Sequence, residues 1–225
     1  MATLAMNEMT TYRWSFEKDV EQYLAAGIGQ IGVWRPKLAD FGEIKGLDLL
    51  AESGLGVSSL HWAGGFTGSD TRSYSESLQD GREAIRVAAE LQANCLFVHS
   101  GGRAGHTRNH ARRILQQALC DLLETAQDAR VTLALEPMPS ESASDWTFLH
   151  TLDETLELMD RIGSAWLKIA FDTYHLGDSP TALDRLPELV SRIALVQLAD
   201  AAGPPSDEQD RFPLGGGKLP LDEIV

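Results

Sequence analysis

Three side chains with oxygen donors close apolar runs in the second half of this sequence. Glu136 ends Leu133-Ala-Leu-Glu136, Asp172 ends Ala170-Phe-Asp172, and Gln197 ends Leu195-Val-Gln197. His175 follows Asp172 by three positions and Asp200 follows Gln197 by three. An ionised carboxylate at the end of a buried strand is costly unless a cation pairs with it. Neither Glu136 nor Asp172 has a Lys or Arg at its own strand end, so their convergence points to a metal ion. The competing structural reading makes Asp172 a helix cap and has Glu136 bonding a neighbouring loop. His175, with an unperturbed pKa near neutrality, could shuttle a proton. Asp200 reads as a loop anchor more readily than as a ligand.

Further candidates stand at other strand ends. His99 opens His99-Ser-Gly-Gly-Arg103-Ala-Gly105, where a glycine-rich loop with an Arg could bind a polar substrate through its N–H groups or serve structure alone. His61, Trp62, Trp34 and Phe66 also fall near strand ends; the aromatics could stack on a sugar's apolar face or simply pack. Other patterns fail on context. Gly27-Ile-Gly-Gln-Ile-Gly32 has a helix before it and a strand after it, the reverse of a dinucleotide cradle, and Gly27 reads as a helix C-cap. Gly215-Gly-Gly-Lys218 lacks the Ser/Thr of a phosphate loop. His106 and His110 share helical spacing without the Glu of a zinc protease between them, and read as capping or solvated residues.

The elements that must carry these residues alternate. Strand candidates are Thr11–Trp14, Ile28–Trp34, Gly56–His61, Cys95–His99, Val131–Glu136, Leu167–Asp172 and Ile193–Leu198. Most are apolar on both faces, as strands covered on both sides must be. Helices lie between them. The best-patterned one places Ala111, Ile114, Leu115, Ala118, Leu119, Leu122, Leu123 and Ala126 on one face. Similar faces come from Val20, Tyr23 and Leu24, from Ala84, Ile85, Ala88, Ala89 and Leu91, and from Leu152, Leu156 and Met159. This is a βα repeat with a parallel sheet. Polar residues at nearly every strand end favour a (β/α)8 barrel over an open sheet, which concentrates its site at one switch point. Seven strands are visible, and Leu221–Val225 reads as the first turn of a seventh helix. The expectation is a single barrel domain over 1–225 that lacks its last β/α unit, with open strand edges that would encourage homo-oligomers.

With 225 residues, 19 basic and 33 acidic side chains, the formal charge is −14. That balance opposes nucleic acid and anionic membranes as partners. Met1–Thr10 has no basic start and no apolar core, and no stretch approaches the roughly 18 apolar residues of a membrane span. A cytoplasmic location is the expectation. Cys95 and Cys120 both sit where small buried hydrophobes sit, and read as inert thiols.

The strand-end Glu136-Pro137, Asp172-Thr-Tyr-His175, Gln197-x-x-Asp200 and the Arg211-x-Pro-Leu-Gly-x-Gly217 loop resemble the xylose isomerase-like barrel superfamily, in particular its sugar phosphate isomerase/epimerase branch. The resemblance runs from the first strand to Val225 and implies a TIM barrel with a divalent metal at its C-terminal face. It implies Glu136, Asp172 and Gln197 as metal ligands, Glu136 and His175 as catalytic residues, and Arg211 as a contact to a substrate oxygen or carboxylate. His61, Trp62, His99 and Arg103 would complete the substrate site. Many relatives carry His where this chain has Gln197; the resulting oxygen ligand set favours Mn²⁺ or Mg²⁺ over Co²⁺ or Zn²⁺. The family's fourth ligand, a Glu on the eighth strand, has no counterpart in this sequence.

The implied chemistry is proton transfer next to a carbonyl of a sugar or polyhydroxy acid, through an enediolate. Isomerisation, epimerisation, and dehydration of the dehydroshikimate type remain open at this level. So do a non-catalytic barrel that binds metal or sugar, and, as a runner-up by fold, a nuclease like endonuclease IV.

Overall fold

The computed structural model describes residues 3–143, 145–206 and 210–224. Seven strands form one parallel sheet in chain order: β1 (Ala5–Asn7), β2 (Gln30–Trp34), β3 (Gly56–Gly64), β4 (Cys95–His99), β5 (Thr132–Leu135), β6 (Leu167–Asp172) and β7 (Ile193–Gln197). Helices α1 (Phe16–Ala25), α2 (Arg35–Phe41), α3 (Glu43–Ser53), α4 (Tyr74–Glu90), α5 (Arg108–Ala129), α6 (Ser140–Ala143), α7 (Leu152–Ile162), α8 (Thr173–Leu176), α9 (Pro180–Leu189) and α10 (Leu221–Ile224) lie between and after them. This is the curled parallel sheet of a TIM barrel, and the described residues contain no eighth strand. None of the helices is long and apolar enough to cross a membrane.

The pleat divides the strand side chains into two sets. Ile31, Val33, Leu60, Leu96, Val98, Leu133, Leu135, Ile169 and Phe171 face the helices and join the large core. Leu115, Leu119 and Leu122 of α5 meet them, each contributing roughly 1.5–3 kcal/mol by burial. The alternate residues Cys95, Phe97, Ala134 and Ala170 form a separate cluster inside the curl. Continuing the same alternation carries His99, Glu136 and Asp172 onto the inner face at the C-terminal strand ends. Three irregularities adjust it: β2 pairs Ile31 with Val57 and then Gly32 with Ser59, β3 pairs His61 with Phe97 and then Ala63 with Val98, and β6 pairs Ile169 with Ile193 and then Ala170 with Leu195. Ser58, Trp62 and Ala194 are the extra residues.

Capping sets the helix limits. Ser73 and Glu76 form a reciprocal box at the start of α4, and Thr107 caps α5 by accepting from the His110 N–H. Gly27, just beyond α1, has φ +73° and starts the turn into β2, as a C-cap glycine does.

Three expectations need correction. Thr11–Trp14 is not the first strand: it lies in successive turns, with Thr10 N–H on the Asn7 carbonyl (2.9 Å) and Trp14 N–H on the Thr11 carbonyl (2.8 Å). The first strand, Ala5–Asn7, is three half-buried residues, too short to show a period. Cys120 is exposed, because it lies beside the buried stripe of α5 and not on it. Leu24 likewise falls off the buried face of α1.

Candidate active site

The Asp172-Thr-Tyr-His175 segment builds most of the site in a single helical turn. Asp172 is the N-cap of α8: its Oδ1 accepts the Tyr174 N–H at 2.8 Å. Thr173 Oγ1 donates to the Ala199 carbonyl (2.6 Å) and accepts the Ala199 N–H (2.8 Å), tying the end of β6 to the end of β7. His175 then turns towards Glu136, with Nε2 3.9 Å from Oε1. Glu136 follows β5, its N–H on the Val98 carbonyl at 3.1 Å. One ligand atom from each of Glu136, Asp172 and His175 lies within 4.8 Å of the others, and all three residues are buried. Among the described residues, no second group of three His, Cys, Asp or Glu side chains converges in this way.

Gln197 pairs in register with Asp172, so the two share a strand face. Arg211 arrives from the later loop. Its Nη1 donates to Asp172 Oδ2 at 2.8 Å, its Nη2 lies 3.3 Å from His175 Nε2, and its guanidinium stands 4.6 Å from the centre of the Tyr174 ring. The cap and metal-ligand readings of Asp172 are therefore compatible: one oxygen caps, the other faces the site. The cation missing from its own strand end comes from Arg211. Burial holds the His175 imidazole neutral, with a pKa of about 4; the Asp172 charge opposes this and Arg211 reinforces it.

Asp200 carries that loop. Its Oδ2 accepts the N–H groups of Gly215 (3.0 Å) and Gly217 (2.9 Å), and its Oδ1 those of Ala201 (2.8 Å) and Leu219 (3.1 Å). Burial works against its charge, but these four donors outweigh it and keep the carboxyl below its usual range. The backbone of Asp200 also pairs antiparallel with Phe212, the residue after Arg211. A Cβ at Gly217 would collide with Asp200 Oδ1 and the Ala201 carbonyl.

On the other side, His99 continues the inner face of β4 beside Glu136. Its Nδ1 lies 2.9 Å from the Trp146 carbonyl, and its ring meets the edges of Trp62 and Trp146. His61 sits one layer deeper, stacked on Phe97 (4.7 Å) with Nε2 against Ser59 Oγ (2.9 Å) and Asn7 Nδ2 (3.3 Å). Burial lowers both imidazoles to about 4; at His99 the bond to Trp146 works the other way. Trp62 is held from behind: Arg35 Nη1 donates to its carbonyl (2.9 Å), Arg72 Nη2 donates to the Gly64 carbonyl (2.9 Å), and both arginines pair with Asp80. Arg103 is exposed on the loop after β4, and Phe66 is fully packed. Trp146 was not singled out from the sequence; it sits on an irregular loop, where no periodicity marks a functional aromatic.

The profile of the xylose isomerase-like TIM barrel family matches residues 22–225, and the chain belongs to that family. A protein described as D-psicose 3-epimerase from Enterocloster bolteae is 30% identical over 125 residues, 55% of this chain and 35% of its own length. Among solved structures, protein SMc04130 from Sinorhizobium meliloti superposes with a TM-score of 0.89 at 27% identity, covering 98% of this chain and 84% of that one. The IOLI protein, solved with a bound zinc atom, shares the fold with a TM-score of 0.84 at 18% identity, covering 99% and 82% of the two chains.

Proposed function

We propose that this chain is a metal-dependent enzyme that moves a proton next to the carbonyl of a small sugar or polyhydroxy acid, by epimerisation or isomerisation. The observation that carries the reading is the convergence of buried Glu136, Asp172 and His175 from the ends of two adjacent strands, within reach of Arg211. Two buried carboxylates beside one guanidinium have the donor chemistry of a divalent cation site. Glu136 and Asp172 would hold the ion, with Gln197 adding an amide oxygen from the strand beside Asp172. Mn²⁺ or Mg²⁺ suits such oxygen donors, and the zinc of the IOLI neighbour is a further candidate. Held there, such an ion would supply a positive charge that stabilises a developing oxyanion.

The chain's own residues do the rest. Glu136 takes the proton at its carboxylate and, by returning it to the neighbouring carbon, gives isomerisation; epimerisation requires a second acid on the opposite face of the same carbon. His175, neutral through burial, exchanges hydrogen bonds with a substrate hydroxyl. Arg211 fixes a substrate oxygen through its guanidinium. Trp62 and His99 line the far side, His61 supports them from below, and Arg103 would act only from the rim.

Equilibrium dialysis against Mn²⁺ tests the reading on the parent and on Asp172→Asn, whose amide oxygen can still cap α8. About one equivalent in the parent and none in the variant, with deuterium entering a ketose only in the parent, is the expected result. Equal Mn²⁺ binding by both proteins removes the proposed centre.

A further inference from the structure

His99 has one ring nitrogen satisfied and one not. The Trp146 carbonyl can only accept, so the 2.9 Å contact places the imidazole proton on Nδ1 and leaves Nε2 with a bare lone pair. Nε2 is buried with no protein partner, and the whole residue is 8% exposed. Buried acceptors are nearly always satisfied, and an exception needs a reason.

The ring is held with care for a position that leaves one atom idle. A Cβ at Gly64 would lie 2.8 Å from Nδ1 and Cε1 of His99 and collide with its carbonyl oxygen, so only glycine admits the ring there. Trp62 and Trp146 meet at 88° with centroids 4.9 Å apart, and both turn edges or faces to His99. Since Val98 pairs with Leu135, His99 and Glu136 are the next residues on neighbouring strands. The two residues therefore stand side by side at one end of the sheet.

We propose that His99 Nε2 accepts a hydrogen bond from a substrate hydroxyl and that this corner, walled by Trp62 and Trp146, selects an uncharged hydroxylated carbon over a phosphorylated one. The inference rests on the reading of Glu136, Asp172 and His175 as the reacting end of the same substrate, and deepens it by naming the substrate class. A lone pair attracts an O–H and repels the oxygens of a phosphate. Burial, which keeps the imidazole neutral down to a pH of about 4, denies the phosphate a second proton to bind. The tryptophan rings suit the C–H face of a sugar or cyclitol. Of the nearby cations, Arg103 is exposed on the loop beyond, and Arg72 is engaged by Asp70, Asp80 and the Gly64 carbonyl.

Two-bond proton–nitrogen spectra of the full chain, with and without Mg²⁺, test this with D-psicose, D-fructose and the 1- and 6-phosphates of fructose. The expected result is that a free ketose binds and shifts the His99 Nε2 resonance while Nδ1 stays protonated, and that both phosphates bind on the order of tenfold or more weakly. His99→Leu should lose on the order of tenfold in ketose affinity and keep its Mg²⁺ affinity. A ketose that binds without moving Nε2, a phosphate that binds as well as the free sugar, or a parent that binds no ketose overturns the proposal. The nitrogen shift needs no variant, so poor folding of His99→Leu leaves the test intact. Mg²⁺ affinity in the same samples reports separately on the metal reading: its absence would sink that reading while the Nε2 shift still decides this one.

Discussion

Arg211 Nη1 lies 2.8 Å from Asp172 Oδ2, so the carboxylate that ends β6 is neutralised by a residue 39 positions further on, delivered by a loop. The same guanidinium stands 3.3 Å from His175 Nε2. It therefore meets two of the three groups that could hold a cation.

That geometry makes Arg211 both a partner of the substrate and a rival of the metal. Arg211→Ala should weaken substrate binding by about 1.5–3 kcal/mol, the usual worth of a hydrogen bond to a charged group, while leaving Mn²⁺ affinity unchanged or higher. Calorimetric titration of both ligands into parent and variant measures this. Weaker metal binding with undiminished substrate binding would show that the roles are reversed.

Asp200 should reproduce part of that phenotype without touching substrate. Asp200→Ala frees the N–H groups of Ala201, Gly215, Gly217 and Leu219 at once, and Arg211 loses its mounting. We expect faster proteolytic cleavage between Ala201 and Leu219, a raised KM with Mn²⁺ affinity retained, and little change in the far-ultraviolet spectrum. A loop as resistant as the parent's would contradict the anchoring role.

Stability should peak near pH 6.5. His61 and His99 are held at about 4, below the ordinary 6.5; their contribution is complete above 6.5 and drains away as the pH falls towards 4. Glu8 works in the other direction. Burial raises its carboxyl from 4.5 to about 8, with the Trp34 N–H opposing and Asp19 reinforcing. Its contribution is complete below 4.5 and is lost as the pH rises through 8. Urea unfolding at pH 5, 6.5 and 8 should show the maximum, and Glu8→Gln should flatten the alkaline side. An unchanged alkaline decline in that variant would remove Glu8 as its cause.

Much of this arrangement was legible in the residues because the sheet is parallel and buried. Cys95–His99 and Leu167–Asp172 are strands with the limits their apolar runs define, and an acid at the end of such a run has few places to point. Glu136, Asp172 and His175 could thus be grouped before any coordinates. The N-terminal strand was hidden because three residues carry no period, and the buried Glu8, Asp19 and Lys37 that surround its end come from the following turn, α1 and α2. Trp146 escaped for a similar reason: its partnership with His99 spans 47 positions and depends on a loop path that local propensity does not specify. Arg211 was placed near the substrate, yet its bond to Asp172 depends on how Asp200 folds the intervening chain.

The extra residue in β7 decides which side chain stands beside Asp172. Because Ile169 pairs with Ile193 and Ala170 with Leu195, Ala194 adds one residue to β7 before the strand reaches Asp172. Were Ala194 taken into the ladder instead, it would stand against Ala170, and Val196 would come beside Asp172 in place of Gln197. A strand shifted by one residue exchanges its faces. Loss of that one-residue offset, with every residue of the chain unchanged, would thus put an apolar side chain where an amide oxygen now stands.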